Sequence, residues 1–356
     1  MTEITLEKVK EDLYSRHHPS ITPVHIEAKA PMIYEILRLK AKHNVVILGH
    51  NYMEPILFGL SAPEEQGDSL ALSRYAATTD AEYIIFNGVF FMAETAKILS
   101  PQKRVLIADK TAGCSLADDF DSSVIDELKA THPGVPVMIY VNSNASDKAK
   151  CDVVCTSANA KHIAMSMPGE KIIFVPDVLF ARNLAEELKG VKEVIYPDGD
   201  DAARGAICEV HEKFTLADIL AIRKSFEIPK GHTRRMIYAH WECRPEVLRE
   251  VDFYGSTSQI MNDISQRASG VGLERVFVAS ECEFTSNLDA AFPQVDFFTA
   301  CAVRCQHMAK VSLGGVLEIL RRIDKGDDLS QYEVLLEPDL IERAKKPIEL
   351  MMQLSR

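Results

Sequence analysis

The sequence lacks the features that mark several common classes of protein. No apolar run approaches the roughly 20 residues that a membrane-spanning helix needs. The first residues are charged and contain no apolar signal segment, so we expect a cytoplasmic protein without a secretory signal. No cluster of Lys and Arg offsets the net charge of −12, which argues against nucleic-acid and anionic-membrane partners.

The cysteines do not follow the pattern of a disulfide framework or of a structural zinc site. The chain has eight cysteines, and in a reducing compartment these favour metal binding, catalysis or burial over disulfides. Three of them recur at nearly constant intervals of 94 (208 − 114) and 97 (305 − 208) residues: Cys114, Cys208 and Cys305. Structural zinc sites usually take four ligands from paired knuckles, whereas this series supplies one thiol per repeat.

Other features recur with the same period. Apolar segments end in His50, Asn142 and His240, which are 92 (142 − 50) and 98 (240 − 142) residues apart. Each is followed by a turn with hydroxyl side chains, then by a second apolar segment and a segment that contains one cysteine of the series. We interpret the chain as three diverged copies of one α/β unit.

The repeat gives the expected domain boundaries. An N-terminal arm occupies 1–25, and three α/β domains occupy 26–120, 121–215 and 216–330. The segment 331–356 is predicted to contain a C-terminal helix that packs back on the first domain. A chain of 356 residues suits two or three such domains.

Polar residues follow the first predicted strand at the end where parallel sheets bind ligands. His50, Asn51 and Tyr52 come directly after an apolar run, which is typical of a strand buried on both faces. Asp68 or Ser69 in the next turn could cap a helix or help to bind an anion. Similar turns later in the chain favour the anion site.

Three thiols predict a particular kind of metal centre. A [4Fe-4S] cluster normally takes four thiolates, so with three one iron stays open and acts as a Lewis acid. Candidate general acids and bases are His50, Tyr140, His240 and Glu242. His211 is interpreted as a structural hydrogen-bonding residue. These features predict dehydration or condensation chemistry on a small anionic substrate.

A set of ordered motifs between about residues 30 and 320 resembles the quinolinate synthase family. The motifs are His50-Asn-Tyr52, Gly67-Asp-Ser-Leu70, Phe86-Asn-Gly-Val-x-Phe-Met-Ala-Glu-Thr-Ala-Lys97, Ala112-Gly-Cys-Ser-Leu-Ala-Asp118, Tyr140-Val-Asn142, Thr156-Ser-Ala-Asn159, Cys208-x-Val-His-Glu212, Gly255-Ser-Thr-Ser258 and Cys305-x-x-Met308. The resemblance implies three similar three-layer α/β/α domains with short parallel sheets, arranged with pseudo-threefold symmetry around a central active site. It also implies a transferase that condenses iminoaspartate with dihydroxyacetone phosphate to quinolinate, phosphate and water in NAD biosynthesis. The resemblance further implies a functional link to L-aspartate oxidase or aspartate dehydrogenase.

The resemblance also implies roles for individual residues. The cluster ligands are Cys114, Cys208 and Cys305. The substrate-binding residues are His50, Ser69, Tyr140, Asn142, Ser157, His240, Glu242 and Thr257. The catalytic residues are Glu242, His240, Tyr52 and Tyr140, with proton transfer expected of His240 and Glu242.

The chain departs from the family pattern at several positions. Trp241 stands where the family has Pro, and Ala279-Ser280-Glu281 replaces the usual Gly-Thr-Glu. A longer Asp-rich loop, 199–205, precedes Cys208. These departures keep open a paralogous condensing enzyme with a related small anionic substrate. A non-catalytic iron–sulfur sensor is a further alternative for the function. The sequence also leaves open whether Cys301 or Cys243 could replace one of the three cluster ligands.

Overall fold

The computed structural model describes residues 4–17, 22–198, 204–299 and 303–355 and confirms three α/β units. Each unit contains a four-stranded parallel sheet flanked by helices, as expected for α/β/α layers. The strand orders are the same in all three sheets: β2-β1-β3-β4, β6-β5-β7-β8 and β10-β9-β11-β12. The predicted fold class and internal repeat are therefore correct, whereas the domain boundaries stay a prediction.

The elements alternate along the chain. After α1 (Leu6–His17), the first unit contains α2 (Pro23–Lys42), β1 (Val45–His50), α3 (Pro55–Phe58), β2 (Gln66–Gly67), α4 (Ser69–Thr78), β3 (Tyr83–Asn87), α5 (Phe90–Leu99), β4 (Arg104–Ile107) and α6 (Ser115–Asp118). The second contains α7 (Ser123–Thr131), β5 (Val137–Tyr140), α8 (Ala145–Lys148), β6 (Val153–Cys155), α9 (Ala160–Ser166), β7 (Lys171–Val175), α10 (Val178–Glu187) and β8 (Glu193–Ile195). The third contains α11 (Leu216–Ser225), β9 (Arg235–His240), α12 (Pro245–Glu250), β10 (Phe253–Gly255), α13 (Thr257–Gly270), β11 (Arg275–Ala279), α14 (Cys282–Ala291) and β12 (Asp296–Phe298), followed by α15 (Leu313–Lys325) and α16 (Pro338–Leu354).

Burial explains why the interior of the first strand of each unit is an unbroken apolar run. All six residues of β1 are buried, as are all four of β5. A central strand of a parallel sheet has helices against both faces, so it does not alternate between apolar and polar residues. These strands therefore form the core of each unit and fix the position of the polar residues at their ends.

The sheet register identifies equivalent residues in the three units. In each unit, the last residue of the first strand pairs with a residue of the second strand. The pairs are His50 with Gly67, Tyr140 with Cys155, and His240 with Gly255. The equivalent of His50 in the second unit is therefore Tyr140. The sequence analysis had matched His50 with Asn142, which lies two residues too far along the chain. Strand β5 ends at Tyr140, and Asn142 lies in the segment that follows it.

The C-terminal segment contacts more than one unit. Val334 N–H donates to Val105 O and Ile107 N–H donates to Tyr332 O, which extends the first sheet at β4. Helix α16 packs mainly against β6 and α8 of the second unit and also contacts α5 of the first. The sequence had predicted packing on the first unit alone. Among the described helices, none combines the length and apolar character needed to cross a membrane.

Candidate functional site

The polar ends of the strands meet at one cavity with an empty volume of about 640 Å³, counting its open mouth. All twelve residues selected from the sequence line this cavity: His50, Tyr52, Ser69, Cys114, Tyr140, Asn142, Ser157, Cys208, His240, Glu242, Thr257 and Cys305. Each unit contributes several of them. Such a cavity is the default position for a ligand in folds of this kind.

The two strand-end histidines are held by the same local arrangement. The backbone N–H of Tyr52 donates to His50 Nδ1 at 3.2 Å, and that of Glu242 donates to His240 Nδ1 at 3.4 Å. A nitrogen that accepts a hydrogen bond is unprotonated, so the neutral rings carry their proton on Nε2. His240 Nε2 lies 3.2 Å from Ser157 Oγ and donates to it.

Burial keeps both histidines neutral. Loss of hydration lowers the pKa of His50 to about 4 and that of His240 to about 3, although the nearby Glu242 carboxylate opposes both shifts. Both rings therefore present an N–H donor without a positive charge at neutral pH. Their local environments suit hydrogen bonding to a substrate oxygen.

Glu242 is the buried carboxylate of the site. Tyr140 Oη donates to its Oε1 at 2.5 Å, and His211 Nδ1 lies 2.7 Å from its Oε2. Burial alone would raise the pKa of Glu242, but His240, His211 and the Tyr140 hydrogen bond outweigh burial and lower it. The carboxylate is therefore ionised at neutral pH and can act as a proton acceptor.

In the hydroxyl turns before α4 and α13, the helix cap directly precedes the cavity hydroxyl, and Asp68 lines the cavity as well. Asp68 caps α4 by accepting from Ala71 N at 3.0 Å, and Ser256 caps α13 by accepting from Gln259 N at 3.2 Å. Ser69, Ser157 and Thr257 each lie two positions beyond the paired end of the second strand and line the cavity. The residue that caps the helix and the residue whose hydroxyl lines the cavity are thus different. From the sequence alone, Asp68 or Ser69 could have served either function.

The three thiols share one environment. Burial raises the pKa of Cys114 and Cys208, and the pKa of Cys305 to about 11. Backbone N–H groups two or three positions later oppose this effect: Leu116 and Ala117 for Cys114, His211 for Cys208, and His307 and Met308 for Cys305. Electrostatic repulsion from Cys305 further raises the pKa of Cys114, and that from Cys114 raises the pKa of Cys208. All three thiols line the one cavity.

This environment fits an iron–sulfur cluster. Hydrogen bonds from backbone N–H groups to cysteine sulfurs are a recurrent feature of such clusters, and here the backbone beside each thiol opposes the rise in its pKa. None of the three forms a disulfide with another described residue. A bound metal would remove the proton that burial otherwise retains on each thiol.

Two residues that were not selected from the sequence join the network. His211 Nδ1 lies 3.1 Å from Cys208 Sγ in addition to its contact with Glu242, so Cys208, His211 and Glu242 form one compact group. Ser280 Oγ lies 2.9 Å from Tyr52 Oη and 3.1 Å from His211 Nε2. The Cys208-x-x-His211 spacing was a usable signal for His211, whereas a lone Ser after a strand gave none for Ser280.

The sequence also left open the roles of Cys243, Trp241, Cys301 and the Asp-rich loop, and the structure places the first two outside the cavity lining. Cys243 is completely buried and its thiol donates to Ala279 O at 3.4 Å, outside the cavity lining. Trp241 packs against Phe180 and Tyr254 with ring centroids 5.7 and 4.9 Å away. Cys301 and residues 199–203 of the Asp-rich loop lie outside the described part of the chain.

Known proteins resemble this chain over nearly its whole length. The family model described as NadA, quinolinate synthetase A protein, matches residues 34–353. Quinolinate synthase 2 of Mesorhizobium japonicum is 39% identical over 340 residues, which cover 96% of both chains. The quinolinate synthase of Sinorhizobium medicae is 37% identical over 346 residues, covering 97% of this chain and 89% of that protein. That of Agrobacterium fabrum is 40% identical over 319 residues, covering 90% and 84%.

Proposed function

Because the chain belongs to the quinolinate synthetase A family, we propose that it condenses iminoaspartate with dihydroxyacetone phosphate to quinolinate, phosphate and water. Membership of this family supports an enzyme of NAD biosynthesis. The observation that carries the finer assignment is the convergence of one thiol, one strand-end side chain and one hydroxyl from every unit on a single cavity.

In this proposal Cys114, Cys208 and Cys305 hold a [4Fe-4S] cluster. When bound, the cluster supplies an open iron that polarises a substrate oxygen as a Lewis acid. The repeated backbone N–H groups at the sulfurs support this ligand set. Cysteine ligands need a reducing compartment, so a cytoplasmic location is part of the same proposal.

The substrates are small anions, and the cavity offers neutral donors for them. Ser69 and Thr257 stand in the first turn of α4 and α13, where backbone N–H groups favour negative charge. Ser157 lines the cavity between His240 and Tyr140 and hydrogen-bonds to both, so its hydroxyl is held where a carboxylate or phosphate oxygen would bind. These hydroxyls, with His50 and Asn142, bind and orient the two substrates.

Glu242 and Tyr140 handle protons in this proposal. The ionised Glu242 takes a proton from the substrate during condensation and returns it to a leaving hydroxyl. Tyr140 donates to Glu242 and stabilises its charge. Neutral His240 stabilises developing negative charge from Nε2, and Tyr52 lines the same cavity as a further polar contact.

In this proposal, the enzyme uses a substrate that an earlier oxidation of aspartate must supply. Iminoaspartate is aspartate less two hydrogens and is unstable in water, so an oxidase or dehydrogenase acting on aspartate must supply it. L-aspartate oxidase and aspartate dehydrogenase are the two such activities that we propose as functional partners.

The test is product identification. Protein purified without oxygen and reconstituted with iron and sulfide should convert iminoaspartate and dihydroxyacetone phosphate to quinolinate, detected by mass spectrometry. Release of phosphate and a different heterocycle would instead indicate a paralogous condensing enzyme. An intact cluster without turnover of either substrate would favour the sensor. Trp241 gave the main reason to expect a paralogue, but it packs against Phe180 rather than lining the cavity.

A further inference from the structure

Ser280 holds two cavity residues without lining the cavity itself. It follows directly after β11, is 2% exposed and belongs to the third unit. Its hydroxyl contacts Tyr52 Oη from the first unit at 2.9 Å and His211 Nε2 from the second at 3.1 Å. Tyr52 and His211 both line the cavity, whereas Ser280 does not, so any effect of Ser280 on a substrate passes through its partners.

Ser280, Tyr52 and His211 form a closed triangle of contacts. Ser280 Oγ lies 2.9 Å from Tyr52 Oη and 3.1 Å from His211 Nε2, and Tyr52 Oη lies 3.3 Å from His211 Nε2. The contact between Ser280 and Tyr52 is the shortest of the three, so Ser280 is the main hydrogen-bond partner of the Tyr52 hydroxyl.

These contacts hold the Tyr52 hydroxyl in one place at the wall of the cavity. Without Ser280, the Tyr52 hydroxyl would keep only its longer contact with His211 Nε2 and could turn into the cavity. Tyr52 would then lose its single orientation toward a substrate.

We propose that Ser280 is a positioning residue that holds the Tyr52 hydroxyl in place for a hydrogen bond to a substrate. The role rests on the proposed function, because it concerns how the cavity binds iminoaspartate or dihydroxyacetone phosphate. It requires a hydroxyl at position 280, and the neighbouring carboxylate of Glu281 does not replace it. Glu281 accepts instead from Glu283 N and Phe284 N as the cap of α14.

The test combines four variants of the reconstituted enzyme: Ser280→Ala, Ser280→Thr, Tyr52→Phe and the double variant Ser280→Ala/Tyr52→Phe. We expect Ser280→Ala to lower kcat/KM for quinolinate formation by about 5- to 10-fold, the effect of one hydrogen bond between neutral groups. Ser280→Thr should restore it to within about 2-fold of the wild type. In the Tyr52→Phe background, Ser280→Ala should cause no further loss.

Equal losses in both backgrounds would overturn the proposal, as would a Thr variant as impaired as the Ala variant. The iron content should be the same in all variants. If Ser280→Ala does not accumulate as folded protein, Ser280→Cys takes its place, because it keeps the volume and weakens the hydrogen bond.

An infrared measurement separates this proposal from the proposed function. Protein labelled with ¹³C in the tyrosine ring shows a C–O stretching band that reports hydroxyl hydrogen bonding, and its loss in Tyr52→Phe assigns the band to Tyr52. The band should shift in Ser280→Ala and stay unchanged in Ser280→Thr. An unshifted band overturns the proposal even in active protein. A wild type that forms no quinolinate refutes the proposed function, and the band still decides the Ser280–Tyr52 contact.

Discussion

The hydroxyl of Tyr140 donates to Glu242 Oε1 across 2.5 Å, and these residues come from different units of the repeat. Tyr140 ends β5, whereas Glu242 lies two residues beyond the end of β9. This contact joins the second and third units at the cavity. It leaves Glu242 as a buried anion with a defined set of donors.

We expect Tyr140→Phe to lower kcat/KM roughly 10- to 100-fold, because a hydrogen bond to a charged group is worth about 1.5 to 3 kcal/mol. Steady-state quinolinate formation measures the effect. Tyr254→Phe is the matched control, since Tyr254 bonds to Glu187 outside the cavity. A Tyr140→Phe enzyme as active as the Tyr254→Phe enzyme would exclude this role for the contact.

The neutral histidines make stability depend on pH. The pKa values of about 4 for His50 and about 3 for His240 are below the unfolded value near 6.5. The unfolded chain therefore binds more protons below pH 6.5, and stability falls as the pH drops toward 4. At pH 5 each histidine should cost about 2 kcal/mol of the stability present at neutral pH.

Denaturant unfolding at pH 7 and pH 5 measures this loss. His50→Gln should reduce the difference between the two pH values. His25→Gln, at an exposed position, should leave the difference unchanged. Equal pH dependence in the wild type and His50→Gln would show that His50 does not cause the loss.

Gly113 leaves room for a carboxylate that supports the first thiol. Asp118 Oδ2 accepts from Cys114 N at 2.9 Å, and a Cβ on Gly113 would overlap that oxygen. Gly113→Ala should therefore displace Asp118, shift Cys114 and lower the iron content by at least half. Gly314→Ala is the control, because its Cβ would meet only Ser312 Oγ at 4.0 Å. Full iron content in Gly113→Ala would show that the Asp118 contact is dispensable.

The last turn of the chain is connected to the Ser157 turn through Asn159. Asn159 Oδ1 accepts from Thr156 N at 2.6 Å, and its Nδ2 donates to Ser355 Oγ at 2.8 Å. Asn159→Ala removes these bonds, together with the one that Oδ1 accepts from Thr156 Oγ1 at 3.3 Å, and leaves a buried N–H without its partner, so we expect a loss of about 1 to 3 kcal/mol. Ser355→Ala removes the bond from Asn159 and the bond that the Ser355 hydroxyl donates to Met351 O at 2.7 Å, but it leaves Thr156 N paired, so it should cost about 1 kcal/mol or less. Thermal unfolding of the two variants should reproduce this order, and a reversed order would contradict the connection.

Much of the architecture could be predicted from the sequence because it depends on local pattern. Fully apolar runs such as Val45–Leu48 indicate doubly covered parallel strands, and the period of the cysteines indicates three copies. All twelve candidate residues line the cavity because ligand sites lie beyond the carboxyl ends of parallel strands.

The features that the sequence did not reveal depend on tertiary packing. The choice of Asn142 as the counterpart of His50 failed because the residue at which β5 leaves the sheet is set by pairing with β6. His211 was expected to form structural hydrogen bonds, but its partner Glu242 could not be named because it is 31 residues away (242 − 211) in the sequence. Ser280 acquires its contacts from two other units, which no local pattern encodes.

The central claim is that one thiol from each unit holds a single cluster at the shared cavity. The most direct test is iron and sulfide analysis of protein purified without oxygen, comparing the wild type with Cys114→Ser, Cys208→Ser, Cys305→Ser and the control Cys243→Ser. We predict about four irons per chain in the wild type and in Cys243→Ser, and loss of the cluster in each of the other three variants. A full cluster in any of those three, or loss only in Cys243→Ser, would contradict the claim.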